Sequence, residues 1–329
     1  MTSVKLCFQV MDTYCWIHST YSIPGKLIGI DGIDRAHPGV APNSDLGEGE
    51  QIRYHKYYQW VCFTLFFQAI LFYIPRYLWK NWEAGKVALL VQEMNVPIVE
   101  ADTKRDRIGI LVDYFSLRHN HTFYALKFFF CEFLNFINVA GQIWFMDFFL
   151  GGKCSFPTLE NGAPDEFFYH LIFLGEFTQY GTDVLKMTEL SPEEREDPMA
   201  RVFPKMTKCT FHKFGPSGTV QKFDGLCVLP LNIINEKIYV FLWFWFIILT
   251  VVSGMQMIYR LIVLMSPRLR EMLLKSRSRL TVMHKVESIC RRCGLGDWFI
   301  LYQLGKNIDP LIFKEFMGEL YKKLENRVE

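Results

Sequence analysis

Three stretches of this chain are long enough and apolar enough to cross a lipid bilayer, and that constrains the fold before anything else does. Tyr57 to Pro75 contains no Asp, Glu, Lys or Arg and stays apolar to Trp79 apart from Arg76. Phe128 to Leu150 is broken only by Glu132 and Asp147, and Ile238 to Tyr259 runs for 22 residues without a formal charge. A helix rising about 1.5 Å per residue needs roughly 20 apolar residues to cross a hydrocarbon core about 30 Å thick. The first and third blocks meet that test outright; the second is weaker, because a buried soluble helix could also carry two acids. Trp60, Trp79, Trp144, Tyr239 and Tyr259 lie toward the ends of these blocks, where interfacial aromatics belong. The reading is an all-α polytopic membrane protein.

Composition agrees. Half of the 329 residues are hydrophobic and 16% are aromatic, which excludes disorder. A net charge of +2 leaves no excess to neutralise phosphates, so nucleic acid is not an expected partner. Nine Cys in 329 residues are too sparse for a small disulfide scaffold.

Flanking charge sets the orientation. Nine Lys or Arg against Glu271 and Glu287 lie between Arg260 and Arg292, which places the tail in the cytoplasm. The expected layout is 1–56 outside, a span at 57–79, a cytoplasmic loop at 80–127 and a span at 128–150. An extracellular loop at 151–237, a span at 238–259 and a cytoplasmic C-terminal domain at 260–329 complete it. Met1 to Gln9 has no signal-peptide core to carry the first segment across. The reading therefore expects a further span upstream of Met1.

Between the spans, residues 18–56 are rich in Gly and Pro and read as an irregular loop. Residues 81–122 read as a partly helical layer, and 176–237 as a region of short strands. Residues beyond Pro267 read as a charged helix followed by a compact unit from Gly294 to Leu320. Cys209 and Cys227 flank Gly215, Pro216 and Gly218, so a bridge between them would staple a hairpin-like loop. Such a staple serves either a rigid docking surface or a small ectodomain's ordinary stability. Cys290 and Cys293 have redox or zinc spacing but no second pair, and read as a cytosolic helix end.

Tyr57-Tyr58-Gln59-Trp60-Val61, at the start of the first span, resembles the signature of innexins, the invertebrate gap-junction proteins. Phe66 to Phe72, Pro75 to Trp79, Val10 to Trp16, Asp197 to Pro204, Cys209 to Lys213, Leu226 to Ile233 and Leu301 to Pro310 are similar to the same family. The resemblance implies an innexin-type four-helix bundle, here with three spans present, a small α+β extracellular region and a helical cytoplasmic dome. It implies two extracellular loops with a pair of Cys each: Cys209 and Cys227 form the second-loop pair, and Cys15 is left without its usual partner. It further implies a plasma-membrane subunit of gap junctions and hemichannels, a homo- or hetero-oligomer with other innexin subunits that docks to a hemichannel of an adjacent cell. The alternative is a non-conducting or dominant-negative adhesion partner, since the pore-lining amino-terminal segment of the family is not in this sequence. On that ground the chain alone is expected to pass little current or dye.

Residues 152–175 depart from the family and read as an insert or retained intron. Gly152-Lys153-Cys154 can be encoded by a splice-donor consensus, and Leu171 to Gly175 by an acceptor-like run.

Within the second span, Glu132, Asn135, Asn138 and Gln142 recur at helical spacing. Polar groups in lipid face protein or water, so the stripe reads as interhelical hydrogen bonding or as the water-facing wall of a conduit. The first is favoured, because the family's missing helix would take the pore side. No phosphate-binding glycine loop, H-E-x-x-H or G-x-S-x-G occurs, so no catalytic, cofactor-binding or metal site is assigned and no enzyme activity is expected. Membrane lipid is the remaining partner, through the basic run after Tyr259.

Overall fold

The computed structural model describes residues 13–33, 35–42, 52–92, 94–95, 101–116, 121–151, 175–187 and 197–326. Cys7, Cys154 and nearly all of residues 152–175, the stretch read above as an insert or retained intron, lie outside them.

The described residues start in a helical turn at 13–17, followed by strand β1 (Thr20–Ser22) and strand β2 (Arg53–His55). Tyr57–Gln59 form a 3-10 turn, and helix α1 (Val61–Glu83) starts after it, running unbroken through Pro75. The Glu83 carboxylate ends α1 by accepting the amides of Gly85 at 2.7 Å and Val87 at 2.8 Å, the latter in helix α2 (Lys86–Val91). Helices α3 (Ala101–Ser116), α4 (Thr122–Gly151), α5 (Glu176–Lys186) and α6 (Pro198–Val202) follow. Strands β3 (Met206–Phe214) and β4 (Val220–Val228) lead into helix α7 (Pro230–Met265). The chain finishes with helices α8 (Pro267–Arg277), α9 (Met283–Arg292), α10 (Leu295–Asn307) and α11 (Pro310–Glu325).

Three helix starts share one local device. Asp197, Ser266 and Asp309 each cap a helix whose first residue is proline, accepting the amides of Met199 (2.9 Å), Leu269 (3.3 Å) and Leu311 (2.8 Å). A short oxygen-bearing side chain followed by proline satisfies an orphan amide and presets the backbone for helix. At Ser266-Pro267 this cap separates the long apolar α7 from the charged α8.

α1, α4 and α7 are 23, 30 and 36 residues long, and no more than 22% of the apolar window of each is buried. Side chains such as Phe63, Phe66, Phe241 and Ile248 face outward. In water this exposure would be untenable; in lipid it is what a spanning helix requires.

The chain divides into two compact units, 1–69 with 139–249 and 70–138 with 250–329, and each long helix supplies residues to both. The first unit holds an antiparallel sheet in the order β2-β1-β3-β4. Thr20 pairs with His55, Tyr21 with Tyr54 and with Lys208, and Cys209 with Gly225. Segment 18–56, expected to be wholly irregular, thus supplies two strands. Among its described residues, segment 176–237, expected to hold short strands, is helical in α5, α6 and the start of α7 and stranded in β3 and β4. α5 packs on α7 where Gly181 meets the Trp243 ring so closely that a Cβ would overlap it. The second unit is a helical cluster around α10, whose Trp298, Phe299, Ile300, Leu301 and Leu304 are all buried with Phe313, Phe316 and Leu320 of α11.

Candidate functional site

The signature pentapeptide lies where the first span meets the sheet, and four of its five residues are committed to that junction. Tyr57 Oη donates to the Val202 carbonyl at 2.8 Å and accepts from Asn232 Nδ2 at 3.1 Å, while Asn232 also donates to the Pro204 carbonyl at 2.8 Å. The Tyr57 ring meets Phe203 and Phe149 edge-on. Tyr58 Oη reaches the Cys15 carbonyl at 3.5 Å, and Gln59 Nε2 donates to the carbonyls of Trp16 (2.6 Å) and Ile17 (3.2 Å). Val61 is buried, whereas Trp60 is 60% exposed. The motif ties α1 to the 13–17 turn, the 202–204 corner and the start of α7 at once.

The cysteines do not pair as expected. Cys209 is bonded to Cys15, not to Cys227. Strand register supplies the reason: Cys227 lies opposite Thr207 and Cys209 opposite Gly225, so the two are offset along the ladder rather than facing. The 13–17 turn brings Cys15 over β3 instead. The three sulfurs lie within 4.8 Å of one another, all buried. The bond therefore links the segment before the first span to the segment before the third, 194 residues apart.

The same sheet holds a buried cation with its partners. Buried Lys208 donates to Asp224 at 2.5 Å and to the Ala41 carbonyl at 2.8 Å, and Tyr21 Oη donates to Asp224 at 3.1 Å. His55 is buried with Nε2 2.7 Å from Ser22 Oγ. Burial first, and the Arg53 cation second, lower its pKa to about 3, so it is neutral at ordinary pH.

In the second unit, Glu132 of α4 receives a forked ion pair from Arg260 of α7, with Nε at 2.8 Å and Nη2 at 2.9 Å, and Gln256 lies 3.3 Å away. The guanidinium also stacks near the rings of Phe128, Phe129 and Tyr259. Of the rest of the stripe, Asn135 is exposed, Asn138 half-buried and Gln142 buried. Arg260 enters the sequence reading as one of nine orienting charges and as the first residue of the basic run assigned to lipid. The signal available was an acid within one span and an arginine at the C-terminal end of another. Asn232 gave no such signal, because an asparagine just before an apolar block has no periodic pattern to mark it.

Cys290 and Cys293 sit at the end of α9 against the helical core. Burial pushes their thiols up to about 11 and about 12, the opposite of a reactive thiolate.

Together these features define a polytopic α-helical membrane protein whose spans are tied to a disulfide-bonded sheet at one unit and to a helical cluster at the other. The innexin family pattern matches residues 3–161 and 165–324. Innexin inx2 of Schistocerca americana is 57% identical over 324 residues, covering 98% of this chain and 83% of that protein. Innexin inx2 of Drosophila melanogaster is 59% identical over 316 residues (96% and 79%), and innexin shaking-B of the same species 44% over 318 (96% and 78%). The chain belongs to the innexin family. It is a multi-pass plasma-membrane subunit of gap junctions and hemichannels.

Proposed function

We propose that the sheet-bearing unit faces the extracellular space and the helical unit the cytoplasm, along the boundaries 1–56, 57–79, 80–127, 128–150, 151–237, 238–259 and 260–329. Several copies, alone or with other innexins, ring a water-filled path for passive passage of ions and small solutes. The sheet of an apposed ring seals that path between two cells. The contribution of this chain is structural rather than catalytic.

One observation carries the reading. The Cys15–Cys209 bond belongs to the unit from which α7 starts, and the basic run from Arg260 to Arg292 belongs to the unit in which it ends. Disulfides persist in oxidising surroundings and basic flanks stay in the cytoplasm, so the two chemistries orient the spans in the same sense. The polar stripe fits this arrangement as helix-to-helix adhesion, since Glu132 is engaged by Arg260 rather than left to water.

Co-assembly tests it. Expressed in paired cells with the Drosophila inx2 relative, the chain is expected to collect at cell contacts and to co-purify with that relative as an oligomer. A monomer spread evenly over the membrane, with no recovery of the relative, would contradict the proposal.

A further inference from the structure

We infer that a cleft in the helical unit binds clustered phosphate groups. The cleft has a volume of about 1360 Å³ and lies between α3 and α11, with residues 280–282 and Lys285 at one side. Small-molecule pockets run from about 300 to 1000 Å³, so there is room for a polyphosphorylated molecule. Its walls include buried Ile108 and Val112 and the hydroxyl-bearing Thr281, which can donate to phosphate oxygens.

Charge selects the ligand. Lys104, Arg105, Lys285, Lys314, Lys322 and Lys323 line the cleft against Asp113, Glu315 and Glu319, a net of three positive charges. The three acids are each taken by one lysine: Lys104 with Glu315 at 2.7 Å, Lys322 with Glu319 at 2.9 Å, and Lys323 with Asp113. Arg105 on α3 and Lys314 on α11 have no ionic partner among the described residues, and Lys285 lies only over the Tyr321 ring. A guanidinium and an ammonium facing one cleft from two helices match a ligand with more than one phosphate.

Two glycines supply an independent argument. Gly109 lies inside α3 and Gly318 inside α11, both line the cleft, and a Cβ at either would meet no atom within 4 Å. Glycine within a helix costs stability relative to alanine, and packing inside this subunit does not require it here. What the two glycines preserve is open space between the cations.

The phosphates could be carried by a free soluble molecule or by a lipid headgroup, and the test separates the two. The full chain in phosphatidylcholine nanodiscs is titrated with inositol hexakisphosphate, and the titration is repeated in nanodiscs doped with phosphatidylinositol bisphosphate. Saturable binding is expected, weakened roughly tenfold or more in the exposed pair Arg105→Gln/Lys314→Gln. Gly318→Leu is expected to weaken it comparably with no change in charge. Competition by the doped lipid assigns the site to a headgroup, and its absence assigns it to a soluble polyphosphate; either sustains the proposal. Absence of binding by both sources, or binding untouched by the Arg105/Lys314 pair, overturns it. So does a cross-link from Lys314→Cys showing that a neighbouring copy fills the cleft. The readout is binding, so it stands or falls separately from cell-to-cell coupling.

Discussion

Tyr57 shows how one hydroxyl can set the position of a span. Its donation to Val202 and acceptance from Asn232 join two chain segments to the residue that opens α1. Tyr57→Phe keeps the ring contacts and removes both hydrogen bonds, leaving the Val202 carbonyl short of a donor. A loss of about 1–3 kcal/mol is expected, read as a lower unfolding midpoint of the detergent-solubilised protein. An unchanged midpoint would show that the motif's packing alone suffices. His55 makes a second prediction with a defined sign. Its folded pKa of about 3 lies below the unfolded value of 6.5, so above pH 6.5 both states are neutral and stability does not depend on it. As pH falls below 6.5 the unfolded chain takes up a proton that the folded one refuses. Stability is lost at up to about 1.4 kcal/mol per pH unit until the folded pKa is reached. His55→Gln should flatten that limb in a pH series of unfolding midpoints between 7 and about 4; an unaltered slope would place the titration elsewhere.

Elements differ in how legible they were. The three apolar helices could be read from local residue order, because each depends on a bulk partition. β1 and β2 could not: each has three residues, and their partners lie far along the chain in a stretch full of Gly and Pro. The cysteine pairing failed for the same reason, since Cys209 and Cys227 look matched in sequence until the ladder offsets them. The bond that forms instead makes a clear prediction. Cys15→Ser and Cys209→Ser should each cost about 2–5 kcal/mol, and the double variant no more than either single one; additive losses would argue against the pairing. The α4–α7 clamp is a second case. Arg260→Ala leaves Glu132 without its partner in a poorly solvated setting, a loss of about 3 kcal/mol. Combining it with Glu132→Ala should recover much of that, measured as oligomer yield or unfolding midpoint. A double variant as weak as Arg260→Ala would mean that Arg260 acts through its stacked aromatics.

At the scale of the whole molecule, membrane class was legible because lipid imposes the same demand on every residue of a span, and the basic flanks supply the proposed side. The division into a sheet unit and a helical unit depends on long-range packing that composition does not encode. The glycine-lined cleft does so too, since only the fold brings Gly109 and Gly318 to one opening. Orientation is the claim on which the docking, pore and cytoplasmic assignments all rest. Epitopes inserted after Ser217, in the exposed turn between β3 and β4, and after Glu325, at the end of α11, test it in intact cells. The first should be stained by antibody without permeabilisation and the second only after it; staining in the reverse order would contradict the account.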